Sequence, residues 1–295
     1  MATSVFTTPI DQTSDAAFRV WISEISSQFN AINPTIFTQT ADTGQINLGT
    51  ATRPAINTSA GFQTYKLDDG QTPLYIKIEY GSAGGGITFP QIWITTGTGT
   101  NGAGTLTGSV TTRTAISGTG APSSTVTNRS SFLCVTPGSV ALAWKDSGVS
   151  ASQASLMAFF QVCRSCDVNG ALTSLGYAQY SGNSGQLSGC GQSVNIATGS
   201  VISSGSSAGF SLIPYNTTNT LVGGTAQVFR HFVYANNVLN TYAVLTALPS
   251  EVPKATTFTD APVGATVHTY LSTGIGTSNW GAPVTNAACA CFLWE

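Results

Sequence analysis

The sequence predicts a mainly β protein, with β-sandwich or jelly-roll-like domains preceded by one N-terminal amphipathic helix. Three observations carry this prediction. Apolar and polar residues alternate over short runs, as in PLYIKIEY at 73–80, which is the period of a half-buried strand. Gly, Asn and Pro punctuate the runs, as turns between strands require. One segment, 14–30, instead places its apolar residues at helical spacing.

The helix comes first. In SDAAFRVWISEISSQFN (14–30), Thr13 or Ser14 can act as N-cap, and Asp15 suits the positive end of the helix dipole. Phe18, Ile22, Ile25, Phe29 and Ile32 follow one another at spacings of 4, 3, 4 and 3, with Trp21 beside them. That is one apolar stripe, and also a short heptad seam. Asn33-Pro34 stops the helix. Two heptads are too few to stand as a free coiled coil, so the stripe needs a cover. Either it packs on its own domain, or Phe18, Trp21, Ile22, Ile25, Phe29 and Ile32 form an oligomerisation or docking face.

TQTADTGQINLGTATRP (38–54) is polar and turn-rich and reads as a linker or arm. Residues 1–48 are therefore expected to form an N-terminal arm and helix. Strand candidates at 73–80, 89–96, 131–135, 139–144 and 156–163 place a β-sandwich domain over 49–170. A loop-like stretch within 165–190 separates it from a second β-rich domain at 171–295. The strand candidates there are 208–213, 226–235, 265–271 and 289–294.

Composition narrows the function classes. Charged residues make up 7% of the 295, against about 25% in an average soluble domain. Gly, Ser, Thr, Asn and Gln take their place. A free monomer normally keeps many surface charges for solubility, whereas interfaces are depleted in Lys, Asp and Glu. Much of this surface is therefore expected to be covered by further copies or by partners. A net charge of −2 without a basic run argues against nucleic acid as a partner. No stretch approaches the roughly 20 apolar residues of a membrane helix, and no membrane insertion is expected. MATSVFTTPIDQTSDAAF has neither the basic nor the apolar region of a signal peptide, so synthesis in the cytoplasm is expected.

Several strings imitate catalytic motifs. Gly97-Thr98-Gly99-Thr100-Asn101-Gly102 is a literal G-x-G-x-x-G after a candidate strand. A dinucleotide site also needs a following helix and an acid about 20 residues on. Here 22 of the 34 residues from Gly97 to Ser130 are Gly, Ser or Thr, and the next acid is Asp146. The stretch is expected to be a Gly/Thr loop or hairpin. Gly205-Ser206-Ser207-Ala208-Gly209 is a G-x-S-x-G, and Asp260 and His268 follow in hydrolase order. The residues after it lack the helix that a nucleophile elbow needs. Asp68-Asp69 sits in a turn, and His231 and His268 are lone strand histidines. Cys163-Arg-Ser-Cys166 and Cys289-Ala-Cys291 would form a four-thiolate zinc site only if the fold joined them across more than 120 residues, whereas zinc ribbons carry two C-x2-C pairs at close spacing; with Cys134 and Cys190 they read as buried thiols. No catalytic, cofactor-binding or metal-binding residue is assigned, and no cofactor is expected.

TTPIDQTSDAAFRVWISEISSQF, then TQTADTGQIN and TRP, then PLYIKIEYGSA and ITTGTGTNGAGTLTG, resemble virion structural proteins of tailed bacteriophages over about residues 5–165. The resemblance implies a non-enzymatic, homo-oligomeric tail or neck appendage, fibre- or collar-like. Its partners would be itself and other virion proteins, with the N-terminal segment docking. It would be made in the host bacterial cytoplasm, where cysteines stay reduced, and would reside in the virion. A capsid decoration (cement) protein is a second form of the same reading. A receptor- or glycan-binding tail module is a third, with Trp280 in GTSNWGAP stacking on sugar rings.

Overall fold

The computed structural model describes residues 2–9, 13–83, 89–116, 128–146, 158–166, 171–180, 193–195, 201–203, 229–235, 238–247, 256–259, 269–276 and 289–294. Strand β1 (Ala2–Pro9) leads into helix α1 (Asp15–Ile32). Next come β2 (Phe37–Gln39), β3 (Ser59–Leu67), β4 (Leu74–Ala83) and β5 (Phe89–Gly97). A small hairpin, β6 (Gly99–Thr100) and β7 (Leu106–Thr107), precedes β8 (Thr114–Ile116). Then follow β9 (Asn128–Thr136), β10 (Ser139–Asp146), β11 (Ala158–Cys166) and β12 (Leu172–Tyr180). The remaining described strands are β13 (Ser193–Asn195), β14 (Val201–Ser203), β15 (Phe229–Ala235), β16 (Val238–Ala247), β17 (Thr256–Thr259), β18 (Thr269–Gly276) and β19 (Cys289–Leu293). Among the described residues the protein is mainly β with one helix near the N-terminus, as its sequence predicts.

Two antiparallel sheets enclose one apolar core. The larger runs β1-β9-β10-β11-β16-β19-β18-β17, with β12 to β14 branching from β11 and β15 pairing with β16. The smaller runs β2-β3-β4-β5-β8. In β4 the predicted alternation holds: Leu74, Ile76, Ile78 and Tyr80 are buried, while Tyr75, Lys77 and Glu79 lie half-buried on the other face. Opposite them, Leu133 and Val135 of β9, Val140, Leu142 and Trp144 of β10, and Phe160 and Val162 of β11 enter the same core. Strands β10 and β11 are shielded on both faces, since Ala141, Ala143, Phe159 and Gln161 are buried as well.

Residues on both sides of the expected division at residue 48 share sheets and core. β1 pairs along its length with β9, from Ala2↔Val135 to Pro9↔Asn128, and β2 pairs with β3. Phe6 of β1 and the α1 stripe belong to the core shared by both sheets. The polar stretch 38–54 is not a free linker. Thr40 N donates to Thr64 O at 2.8 Å and Ile46 N to Phe62 O at 2.9 Å. The Gln45 amide accepts from Thr64 N at 2.9 Å and donates to Thr40 O at 2.7 Å. The Gln45 side chain thus supplies to β3, at Thr64 N, one of the hydrogen bonds a neighbouring strand would have given it. The large sheet continues across residue 170, with β12 paired to β11. The candidate strand at 208–213 lies outside the described residues.

Candidate functional site

Helix α1 forms where the sequence places it. Ser14 is extended, at φ −144° and ψ 160°, and its hydroxyl accepts from Ala17 N at 3.1 Å, satisfying one of the first-turn donors. The Asp15 carboxylate turns outward from the helix and accepts from Arg53 N at 2.9 Å. Arg19 Nη1 donates to Ala51 O at 3.0 Å. These two contacts tie the start of the helix to the 51–53 segment.

The six predicted docking residues lie on the inner side of this helix. Phe18, Trp21, Ile22, Ile25 and Phe29 are buried, and Ile32 packs partly buried against the same core. Trp21 meets Tyr80 edge-on, with ring centroids 5.9 Å apart. Phe29 lies 5.2 Å from Tyr65 on the smaller sheet and stacks with Phe160 on the larger at 6.5 Å. The stripe therefore packs on its own domain, the first of the two covers its spacing allowed. A docking face needs exposed side chains, and these five have no exposure left to offer.

Beneath the helix lies a buried polar cluster that sequence reasoning did not find. Gln63 Nε2 donates to the Ser26 hydroxyl at 2.8 Å. Gln63 Oε1 accepts from the Tyr65 hydroxyl at 3.1 Å and from the Tyr80 hydroxyl at 2.7 Å. Burial pushes the Tyr65 phenol up to about 12, against the smaller opposing effect of its hydrogen bonds with Ser26 and Tyr80. Burial also raises Tyr80 well above its ordinary value. Both phenols thus stay protonated and act as donors, which is what the Gln63 carbonyl requires. The cluster orients α1 over β3 and β4.

A second buried contact joins the two sheets. Arg164 on β11 reaches Asp69 in the β3–β4 turn, with Nε 2.8 Å and 2.7 Å from the two carboxylate oxygens and Nη2 2.6 Å from Oδ1. Nη2 also donates to Thr72 O at 2.7 Å. Both side chains are fully shielded, at 0% exposure. Burial by itself would raise the Asp69 carboxyl, but the hydrogen bonds and charge of Arg164 outweigh it and hold the group below its ordinary value. Arg164 Nη1 has no partner among the described residues, so Asp69 is the counter-charge that balances this guanidinium.

The glycine string at 97–102 is a strand–turn–strand element. β5 ends at Gly97, and β6 and β7 pair as Gly99↔Thr107 and Thr100↔Leu106. In the turn, Asn101 Oδ1 accepts from Ala103 N at 2.9 Å and Thr105 N at 3.1 Å. The Asp42 carboxylate accepts from Gly104 N at 3.0 Å and from the Thr100 hydroxyl. Gly104 has φ +77°, and a Cβ there would stand 1.9 Å from Phe62 Cζ. Glycine is thus required twice at that position, by conformation and by space. A strand stands where a dinucleotide site needs a helix.

The other motif residues are scattered or undescribed. Ser207, Asp260, His268, Cys190 and Trp280 lie outside the described residues, and His231 falls in β15. Cys134 and Cys163 are buried thiols; Cys134 Sγ donates to Trp294 O at 3.8 Å, and Cys163 Sγ lies 3.2 Å from the Ser139 hydroxyl. Cys163 and Cys166 belong to β11 and Cys289 and Cys291 to β19, with β16 between those strands. No group of three or more His, Cys, Asp or Glu that could hold a metal ion occurs among the described residues. Among them, no helix is long and apolar enough to cross a membrane.

Among the described residues, the outer edge of β1 is left unpaired. It stands at one end of the larger sheet and pairs, among the described residues, with β9 alone. Its inward side chains are fixed: Phe6 and Thr8 are buried, and the Ser4 hydroxyl donates to Gln28 Oε1 of α1 at 2.7 Å. Its outward side chains are Thr3, Val5 and Thr7, and Val5 is 64% exposed. No family model, curated protein or solved structure matches the chain. The candidate site therefore rests on this geometry: a rigidly backed, uncharged edge strand on a sandwich with little charge anywhere.

Proposed function

We propose that the chain is a non-enzymatic structural component of a tailed-phage virion, a homo-oligomeric tail or neck appendage of fibre or collar type. The observation that carries this reading is the combination of an antiparallel sandwich with a charge content of 7% and an eight-residue edge strand without a single charged side chain. Soluble monomers guard long edge strands with lysine, interior proline, bulges or a covering loop, and β1 has proline at its last position only. Assembled proteins need no such guard, because a neighbour covers the edge. The likeness of residues 5–165 to virion proteins points the same way. Partners are further copies of the chain and other virion proteins, and the location is the particle, assembled in the bacterial cytoplasm.

The docking element differs from the one the helical stripe suggested. With α1 committed to the core, the N-terminal segment docks through β1, and the helix serves as its support. Immunogold labelling of purified particles with antibody to the native chain tests the reading. Gold at one vertex or along the tail is the expected result. Gold spread over the head would replace the appendage with a capsid decoration protein. Unlabelled particles, under conditions where the antibody binds the native chain, would overturn the virion reading.

A further inference from the structure

We infer that β1 is a self-complementary edge, through which two copies of this chain join their larger sheets antiparallel about a two-fold axis at Val5. The inference deepens the homo-oligomer reading above and rests on it. The argument begins with what a two-fold contact demands. In an isologous interface a residue near the axis faces its own copy. A charged side chain there would face an identical charge, and like charges directly opposite one another across a strand pair are destabilising. Strand β1, Ala2-Thr3-Ser4-Val5-Phe6-Thr7-Thr8-Pro9, carries no charge at any position.

The outward residues also read the same in both directions. Thr3, Val5 and Thr7 form a Thr-Val-Thr row. With Val5 on the axis, Val5 meets Val5, and Thr3 of each copy meets Thr7 of the other. Apolar and Thr–Thr cross-strand pairs are both favourable. On the inward face the same register sets Ser4 against Phe6. A register one residue away would put outward Val5 opposite Phe6 or Ser4, whose side chains face the core, and so would break the match of faces.

The surroundings fit an occupant of this kind. Val5 pairs in register with Phe132 of β9, and Phe132 meets Trp294 edge-on with ring centroids 6.2 Å apart. The exposed valine therefore continues an apolar row that already has its inner half covered. The strand is also held firmly. The full register with β9 and the Ser4–Gln28 hydrogen bond fix its backbone, so pairing would cost little further ordering. An eight-residue strand offers an edge of about 27 Å at roughly 3.4 Å per residue. Among the other described strands paired on one edge, β2, β8 and β14 have three residues and β17 four, while β15, paired with β16, has seven.

The test compares wild type, Val5→Lys, Val5→Cys and a control, Ile56→Lys, which changes another exposed apolar residue. Sedimentation velocity over a concentration series reads self-association. Thermal unfolding confirms that the substituted chains fold. Wild type and Ile56→Lys should associate alike. Val5→Lys should unfold like wild type yet associate at least about tenfold more weakly, because two lysines then meet on the axis. Under mild oxidation, Val5→Cys should give a disulfide joining the two position-5 side chains, found by mass spectrometry as a homodimer of the tryptic peptide ending at Arg19.

A monomeric wild type, or a Val5→Lys chain that associates as wild type does, would overturn the inference. So would a Val5→Cys chain that forms no such disulfide. The two proposals fail separately. Labelled particles with unaffected Val5→Lys association would overturn the β1 contact alone. Unlabelled particles with an intact position-5 cross-link would overturn the virion reading alone.

Discussion

Strand β1 and helix α1 are neighbours in sequence and meet opposite fates. The helix displays a broad apolar stripe, yet Phe18, Ile22 and Phe29 are at 0% exposure inside the sandwich. The strand displays one outward valine, and that valine is 64% exposed. Periodicity tells which side chains share a face. It does not tell whether the cover is the chain's own core or another molecule. What separates the two regions is backbone. A helix satisfies its hydrogen bonds internally and needs only a surface to lie on, which two sheets provide. An edge strand such as β1 keeps one row of N–H and C=O groups that, among the described residues, its own sheet leaves unpaired, whatever its side chains do.

Substitutions in the two regions should therefore have opposite signatures. The largest effect belongs to the helix. Ile22→Asp combined with Ile25→Asp puts two carboxylates into the core and should cost on the order of 4 kcal/mol or more each. The expected result is loss of the cooperative unfolding transition, read by circular dichroism. If that double variant folded normally and failed only to associate, α1 would be the docking element after all.

Next comes the clamp between the sheets. Asp69→Ala leaves the Arg164 guanidinium buried and unbalanced, and should cost about 3–5 kcal/mol. The denaturant midpoint should fall while the slope of the transition stays as in wild type. The same clamp predicts the effect of acid. The Asp69 carboxyl is held below its ordinary value of 3.8 in the folded chain, so its contribution is complete above that value. It is lost as pH falls through the folded pKa. Unfolding scans from neutral to acid pH should show this loss in wild type, and Asp69→Asn should flatten the profile.

The buried polar cluster should respond less. Gln63→Leu deprives the Tyr65, Tyr80 and Ser26 hydroxyls of their shared partner, and should cost about 1–3 kcal/mol. Thermal unfolding checks it. Tyr80→Phe together with Tyr65→Phe, added to Gln63→Leu, should recover part of that loss, because apolar groups then replace the stranded donors. The smallest effect on stability belongs to β1: Val5→Lys should stay within about 0.5 kcal/mol of wild type, although it alters association.

Much of the architecture was legible in the chain. The stripe from Phe18 to Ile32 and the alternation of Leu74, Ile76, Ile78 and Tyr80 follow local periods and fold as they read. β1 was not legible as a strand, because Val5 and Phe6 are adjacent and break the alternation that marks one. Only its pairing with β9, from Pro9↔Asn128 to Ala2↔Val135 and so 119 to 133 residues away, makes it one. β3 was hidden for another reason. Gln63 and Thr64 look like surface residues, and their burial depends on partners that only tertiary structure supplies, such as Ser26 on α1 and Gln45 in the 38–54 stretch. The Arg164–Asp69 pair spans 95 positions, and no local pattern marks it. An apolar stripe is a strong local signal and the backbone of an edge strand leaves almost none, so a sequence draws attention to a helix before an edge.

The most direct measurement is hydrogen exchange, read at peptide resolution in dilute and in concentrated protein. The account predicts that α1 amides are protected equally at both concentrations. It predicts that the 2–9 peptide gains protection with concentration, as its outward amides find the second strand. Concentration-dependent protection of α1, with exchange from residues 2–9 unchanged, would contradict it.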